Sequence, residues 1–107
     1  MAFKNGAANV STTRRTLYTV PAGQEAVVHS IFLANVEPNN ETVNATIEFF
    51  DGSAYFKIGN NLPVPAQSTL VFDKPVNLTA GDSITVVGDK VNGLTCFISI
   101  LEQALPV

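Results

Sequence analysis

One turn phrase recurs through the sequence between short apolar segments. It occurs as Val20-Pro21-Ala22-Gly23-Gln24, as Val64-Pro65-Ala66-Gln67-Ser68 and, more loosely, as Leu78-Thr79-Ala80-Gly81-Asp82. Pro, Gly, Asp and Ser set the backbone angles of tight turns, and a run of β-branched or aromatic residues follows each phrase. The phrase therefore indicates a strand-to-strand corner that is used repeatedly, as in a small all-β domain.

The segments between these corners predict seven or eight short strands. A chain of 107 residues, 46% hydrophobic and 14% charged, is long enough for one domain with a core. No segment has helical periodicity, so the pattern favours an antiparallel β-sandwich or jelly roll. The predicted strands cover residues 15–20, 25–36, 42–51, 54–58, 62–64, 69–73, 83–88 and 94–101.

Two of these strands differ in their alternation. Residues 25–36 are apolar on both faces, with Val27, Ile31 and Leu33 on one of them, which is typical of a central or covered strand. Residues 42–51 instead place Val43, Ala45, Ile47 and Phe49 opposite Thr42, Asn44, Thr46 and Glu48. We expect the second strand to have one core face and one face in water.

Positive charge is concentrated at the start of the chain. Residues 1–24 contain Lys4, Arg14 and Arg15 and no acid, whereas the remainder has three lysines and nine acidic residues. We predict a flexible basic N-terminal arm over residues 1–14 and a single β-sandwich domain over residues 15–107. The arm is either a solvated terminus or a segment that orders against an acidic protein surface. Three cations are too few for nucleic-acid binding, so no such partner is expected.

Apolar runs are short, and the chain has one cysteine. The longest run, around residues 31–34, is far below the roughly 20 residues that span a bilayer, so no membrane partner is expected. The first six residues lack the apolar segment of a secretory signal, which predicts folding in a cytoplasm. Cys96 lies in the apolar run 94–101 and is predicted to be a buried structural thiol.

The sequence offers little for catalysis. His29 is the only histidine, and its position in a strand predicts a core or interface residue rather than a base or a metal ligand. Asp51, Asp82 and Asp89 lie in predicted turns, where Asp bonds to nearby backbone. A weak calcium site or a glycosidase carboxylate pair is the alternative, without a spacing motif. We therefore predict no enzyme, no cofactor and no metal.

Phenylalanines on the second face of the strands suggest a contact surface. Phe97 faces away from Cys96, Phe50 faces away from the core side of its strand, and Phe32 is expected to join them. Several Phe on one surface are typical of a protein contact, whereas the alternative is a sandwich that buries both faces. Tyr55 and Phe56, beside a predicted turn, are the only candidate platform for a sugar.

The sequences of several turns and strands resemble those of a known class of proteins. Residues 16–23 (TLYTVPAG), 30–35 (SIFLAN) and 78–84 (LTAGDSI) resemble small structural proteins of tailed bacteriophage virions. The resemblance spans residues 16–102. It implies a β-sandwich subunit that is not an enzyme, either a capsid decoration (cement) protein or a tail or neck component. It supplies no catalytic residues.

From this resemblance we expect a decoration protein that binds and stabilises the phage shell. Its partner would be the major capsid protein or another virion protein, and it would reach the virion after synthesis in the host bacterial cytoplasm. We expect a homo-oligomer, a trimer or dimer, that associates through Phe32, Phe50 and Phe97. The expected shell contacts are Lys4, Arg14 and Arg15. The alternatives are a tail, neck or fibre module that binds host carbohydrate, or a small glycan-active enzyme, which would need a close carboxylate pair.

Overall fold

The computed structural model describes residues 2–105, which form nine strands and no helix. Met1, in the predicted arm, and residues 106–107, in the predicted domain, lie outside the described residues. With no helix between residues 2 and 105, none can cross a membrane. The strands are β1 (Ala2–Val10), β2 (Arg15–Thr19), β3 (Gln24–Asn35), β4 (Val43–Phe50), β5 (Tyr55–Val64), β6 (Thr69–Phe72), β7 (Val76–Thr79), β8 (Ser83–Gly88) and β9 (Leu94–Ala104).

The strands form two antiparallel sheets. The five-stranded sheet has the order β1-β9-β3-β6, with β7 also paired to β3, and the four-stranded sheet has the order β2-β8-β4-β5. Strands β6 and β7 pair with successive parts of β3, on the side away from β9. The antiparallel partners are therefore nested: β1 with β9, β2 with β8, β3 with β6 and β7, and β4 with β5. This is a long hairpin rolled into two sheets, a jelly roll, and it confirms the predicted fold class.

The inner faces of the two sheets enclose one apolar core. Buried residues alternate along β9, where Leu94, Cys96, Ile98 and Ile100 are at most 3% exposed. The rest of the core is Val10, Val20, Ala26, Val28, Ile31, Leu33, Val43, Ala45, Ile47, Val64, Leu78, Ile84 and Val86.

All three predicted corners are the same β-turn. In each of them a backbone N–H donates to the carbonyl three residues earlier: Gln24 to Pro21 at 3.2 Å, Ser68 to Pro65 at 3.2 Å, and Asp82 to Thr79 at 3.0 Å. The third residue has a positive φ of 79° at Gly23, 60° at Gln67 and 89° at Gly81. Glycine occupies two of these positions because it adopts this conformation without a Cβ clash.

A β-bulge in β3 changes which of its residues point into the core. The register with β9 shifts between Val28 and Ser30, so one extra residue separates the two halves of the strand. As a result Val28 and Ile31 are both buried, and the prediction that Val27 shares a face with Ile31 is wrong. His29 occupies the bulge and is exposed, so its prediction as a core residue is also wrong. Its role at an interface stays a prediction.

Strand β4 buries residues from both of its faces. Val43, Ala45 and Ile47 are 0% exposed, as predicted. However, Thr46 and Glu48 are only 8% and 3% exposed, so the prediction of a face in water is wrong there. Their side-chain oxygen atoms form hydrogen bonds within the chain instead, and those of Glu48 are described below.

The start of the chain forms an edge strand. Residues 2–10, which fall within the predicted flexible arm, pair along their whole length with β9. Only Val10 is buried, Gly6 and Ala8 are half-buried, and the others are exposed. The segment is thus a strand joined to the sheet mainly through its backbone, and its flexibility stays a prediction.

The shared turn predicts opposite effects for matched substitutions. Gly23→Ala and Gly81→Ala should each destabilise the fold by about 1 kcal/mol, because alanine is strained at positive φ. No atom lies within 4 Å of a Cβ at either position, so the loss would be conformational only. Gln67→Gly should be neutral or stabilising, since it relieves the same strain. Urea unfolding measures all three, and an equal loss in the three variants would contradict the assignment.

Candidate interaction surfaces

An aromatic row crosses the outer face of the five-stranded sheet. Phe97 of β9 lies opposite Phe32 of β3, which lies opposite Val71 of β6; on its other side Phe97 lies opposite Ala7 of β1. Residues directly opposite in antiparallel strands share a face. The two phenyl rings are 6.0 Å apart between centroids and tilted by 59°. We call Ala7, Phe97, Phe32 and Val71 the aromatic row.

The aromatic row is exposed because its neighbours along each strand fill the core. Cys96 and Ile98 flank Phe97 and point inward, so the alternation of β9 forces Phe97 outward. Phe32, Phe97 and Val71 remain 38%, 41% and 44% exposed. Contiguous apolar side chains on three adjacent strands are typical of a protein contact surface.

The other end of the same face contains a shallow cavity of about 300 Å³. Val27 and Leu101 are among its apolar lining residues, and Glu25 and Gln103, which are hydrogen-bonded to each other, also line it. Phe3 of β1 lies opposite Leu101 and is 86% exposed. Apolar groups are thus present at both ends of this outer face.

Phe50 does not lie on this face. It belongs to β4 in the four-stranded sheet, is half-buried, and stacks on Tyr55 with ring centroids 4.4 Å apart. The structure therefore brings together two of the three residues predicted for self-association, Phe32 and Phe97, and separates Phe50 from them. Its neighbour Tyr55 is 43% exposed, and Phe56 is 52% exposed.

An ion pair covers the outer face of β4 beside Tyr55. Arg14 Nε donates to Glu48 Oε1 at 2.7 Å, and Arg14 Nη2 donates to Glu48 Oε2 at 3.0 Å. The Thr85 hydroxyl donates to Glu48 Oε1 at 3.1 Å. The guanidinium carbon of Arg14 lies 3.7 Å from the centre of the Tyr55 ring. This bidentate geometry is the strongest arrangement of an arginine–carboxylate pair. It connects the segment between β1 and β2 to β4.

The pair accounts for the buried charge that the sequence pattern did not reveal. The Arg14 guanidinium lowers the pKa of Glu48, against the effect of burial, and Glu48 in turn raises the pKa of Arg14. Arg14, a predicted shell contact, is therefore engaged within its own chain. Lys4 and Arg15 form no ion pair with any residue between 2 and 105. The alternation of residues along one strand cannot reveal an ion-pair partner that lies 34 positions away in the sequence.

Two further ionisable groups lie at the inner faces of the sheets. The Tyr18 hydroxyl donates to Glu102 and so joins the two sheets; burial, followed by this bond, raises the pKa of Tyr18. Cys96 is buried, as predicted, and burial raises the pKa of its thiol to about 12. The thiol is thus protonated at neutral pH.

The turn aspartates bond to nearby polar groups. Asp51 accepts from the backbone N–H groups of Ser53 and Ala54, and these bonds lower its pKa. Asp82 accepts from Thr79, whereas Asp89, in the loop after β8, accepts from the distant Asn44 of β4. Across residues 2–105 no three His, Cys, Asp or Glu side chains are grouped so as to hold a metal ion.

Comparisons with known proteins identify similar folds. No protein-family profile matches the chain, and no curated protein is significantly similar in sequence. A capsid structure of Helicobacter pylori bacteriophage KHP30 is 14% identical, with a TM-score of 0.57 over 99% of this chain and 88% of that one. Bacillus endospore appendages, described as disulfide-linked pili, give 17% identity and a TM-score of 0.51 over 98% and 87%.

A pentameric capsid protein from metagenomic phage sequences is 23% identical, with a TM-score of 0.49 over 94% of this chain and 60% of that one. At the identities of the phage KHP30 and endospore structures, the likeness shows a shared fold.

The ion pair predicts a stability difference that depends on pH. Arg14→Gln should lower the urea midpoint at pH 7, because it leaves the buried Glu48 carboxylate without its cation. The folded pKa of Glu48 is lowered from 4.5, so the pair stabilises the fold above that pH and is lost as the pH falls through the lowered value. Arg15→Gln is the matched control and should change little. An Arg14→Gln deficit that is the same at pH 7 and pH 3 would contradict this account.

Proposed function

We propose that this protein is a structural subunit of a bacteriophage particle, of the capsid decoration (cement) type. In this role copies of the chain associate with one another and bind the shell. The observation that supports it best is the exposed aromatic row on the outer face of the five-stranded sheet. Contiguous exposed apolar side chains of this kind commonly mark a site that another protein covers.

The molecule is large enough to carry an assembly surface. It extends over 52 × 26 × 19 Å, so its broad sides exceed the roughly 800 Å² per partner that a stable contact buries. The row itself contains no charge, so packing it against a second copy leaves no ion of the row unpaired. We therefore propose a second copy as its partner, in a dimer or trimer.

The proposed contact with the shell is electrostatic. Lys4 and Arg15 are exposed and make no ion pair within residues 2–105, so they are available to an acidic surface of the major capsid protein or another virion protein. We propose that Arg14 acts indirectly, since its pair with Glu48 fixes the segment that carries Arg15. Many weak contacts repeated over a particle would add up to firm attachment.

The fold comparisons agree with this proposal. Similar folds occur in a phage capsid structure and in endospore pili, and capsids and pili are assemblies of repeated subunits. The sequence resemblance to virion structural proteins points in the same direction. The proposed location of the chain is accordingly the virion.

A tail, neck or fibre module that binds host carbohydrate is the second candidate. It is supported by Tyr55 and Phe56, which are both exposed near the exposed turn residue Asp51, although their pairing with Phe50 and Phe49 places them on opposite faces of β5. However, Phe50 and the Arg14 guanidinium already pack within stacking distance of the Tyr55 ring, which reduces the surface left for a sugar. Decoration therefore has the stronger structural support.

The aromatic row can be tested by the mass of the protein in solution. We expect sedimentation velocity to show a dimer or trimer for the native chain, and a monomer for Phe97→Asp, because a carboxylate at the centre of the row cannot be desolvated. Phe56→Asp is the matched control, since Phe56 is at least as exposed but belongs to the other sheet. It should leave the oligomer intact.

Circular dichroism separates assembly from folding in this experiment. A folded Phe97→Asp monomer supports the contact. An unfolded Phe97→Asp chain would show that the side chain is needed for the fold, and an oligomer unaffected by Phe97→Asp would exclude the row as the interface. A native monomer that binds host polysaccharide through Tyr55 would instead support the tail module.

The shell contact can be tested by charge reversal. We expect the double variant Lys4→Glu and Arg15→Glu to co-sediment less with particles that lack the protein, most clearly at low salt, where exposed charges are least screened. The oligomeric mass should be unchanged, because neither residue lies in the aromatic row. Unchanged occupancy at every salt concentration would remove these residues from the contact.

A further inference from the structure

Strand β1 is attached to the sheet almost entirely through its backbone. All nine of its residues pair with β9, from Ala2 opposite Glu102 to Val10 opposite Leu94. Within residues 2–9, however, only Gly6 and Ala8 are even half-buried, and Phe3 is 86% exposed. The stabilisation from the hydrogen bonds between this segment and β9 is thus offset by the conformational entropy that the segment loses on pairing. Little apolar burial is added to favour the paired state.

The chain is anchored immediately after this segment. Val10 is 0% exposed in the core. The Ser11 carbonyl accepts from the Gly88 N–H at 2.8 Å, and the Ser11 hydroxyl accepts from the Asn92 N–H at 3.2 Å. Together with the Arg14–Glu48 pair, these contacts hold residues 10–14 in place. Residues 2–9 can therefore separate as a unit while residues 10–14 stay in place.

Departure of residues 2–9 would leave an unstable edge. The backbone of β9 would lose its ladder partner, and the inward side chains Cys96, Ile98 and Ile100, which lie opposite Ala8, Gly6 and Lys4, would lose their cover. An unpaired edge beside apolar side chains attracts another strand. The site thus requires an extended segment to fill it.

The site is also selective for the segment that fills it. A Cβ at position 6 would lie 3.3 Å from the Leu17 carbonyl oxygen and 3.4 Å from Ile98 Cγ2, so a glycine fits this point with the least displacement. Any copy of the chain supplies a glycine in this register, followed by the small Ala7 and Ala8. A second copy of the same segment is therefore the occupant that the geometry favours.

We propose that residues 2–9 exchange between copies of this chain, so that the β1 segment of one subunit pairs with β9 of the next. Eight extended residues span about 26–29 Å, and all of them pair with the receiving β9, so Thr95 of the receiving subunit must lie directly beside Val10 of the giving one. When every subunit both gives and receives a segment, the assembly closes as a reciprocal dimer or as a ring.

This inference rests on the proposed function only in that copies of the chain must assemble. The two are otherwise separate, because the aromatic row brings subunits together by packing, whereas exchange connects them by a shared sheet. Ala7 of the exchanging segment lies beside Phe97 of the row, so the same arrangement of subunits can serve both contacts.

One substitution makes the exchange visible. Ala8 lies opposite Cys96, the only cysteine of the chain, and directly paired residues of antiparallel strands are about 4.5–5.5 Å apart between Cα atoms, within the range that a disulfide spans. Ala8→Cys, oxidised at a concentration where the native protein is oligomeric, should form a disulfide with Cys96 of the neighbouring subunit. We expect covalent multimers on non-reducing gels that collapse to monomer on reduction.

Asn5→Cys is the matched control. It lies opposite Ser99 on the outer face, outside the aromatic row, and cannot reach the inward Cys96 in either arrangement. It therefore gives the level of random cross-linking, and only an excess of multimers in Ala8→Cys supports exchange. Should Ala8→Cys fail to fold when reduced, the pair Asn9→Cys and Thr95→Cys in a Cys96→Ala background tests the same register from the outer face.

The outcomes separate the two proposals. Monomers with an internal disulfide, formed while the reduced protein keeps its oligomeric mass, would overturn exchange and leave self-assembly intact. A protein that is monomeric by mass at every concentration, with internal disulfides only, would overturn both exchange and self-association. Multimers no more abundant than in Asn5→Cys would also overturn exchange.

Discussion

The ladder between β3 and β9 is the interaction on which the rest of the structure depends. It runs from Gln24 opposite Ala104 to Asn35 opposite Leu94, with one bulge at His29. The two strands form the middle of the five-stranded sheet, so β1 must join on one side and β6 and β7 on the other. The bulge keeps the inward side chains of β3 in phase at both ends of this long strand. Without it, one half of β3 would turn its apolar residues into water.

The two sheets use their outer faces differently. On the four-stranded sheet, Arg14 covers Glu48 and packs beside Tyr55, so the outer face of β4 is occupied by its own chain. On the five-stranded sheet, no comparable cover lies over Phe32 and Phe97 within residues 2–105, and both stay more than a third exposed. A subunit that assembles needs one apolar face that its own chain does not cover. The outer face of the five-stranded sheet meets this need and that of the four-stranded sheet does not, and this contrast underlies the proposed function.

Much of the fold follows from local patterns in the sequence. The repeated turn phrase predicted three corners that share one hydrogen-bonding pattern, and the alternation around Cys96 correctly placed Phe97 on the outside. Features that depend on distant residues could not be predicted in this way. The bulge at His29 is set by pairing with β9, and the burial of Glu48 requires Arg14 from another segment. Phe50 resembles Phe97 in its alternation, yet it belongs to the opposite sheet.

We propose that the outer face of the five-stranded sheet joins copies of this protein and that the basic residues near the start of the chain attach them to a phage shell. Electron cryomicroscopy of particles that lack the protein, before and after its addition, tests this most directly. We expect regularly repeated density on the capsid, with Phe32 and Phe97 buried between neighbouring copies and Lys4 and Arg15 against the shell. Density confined to the tail, or particles that gain no density at all, would contradict it.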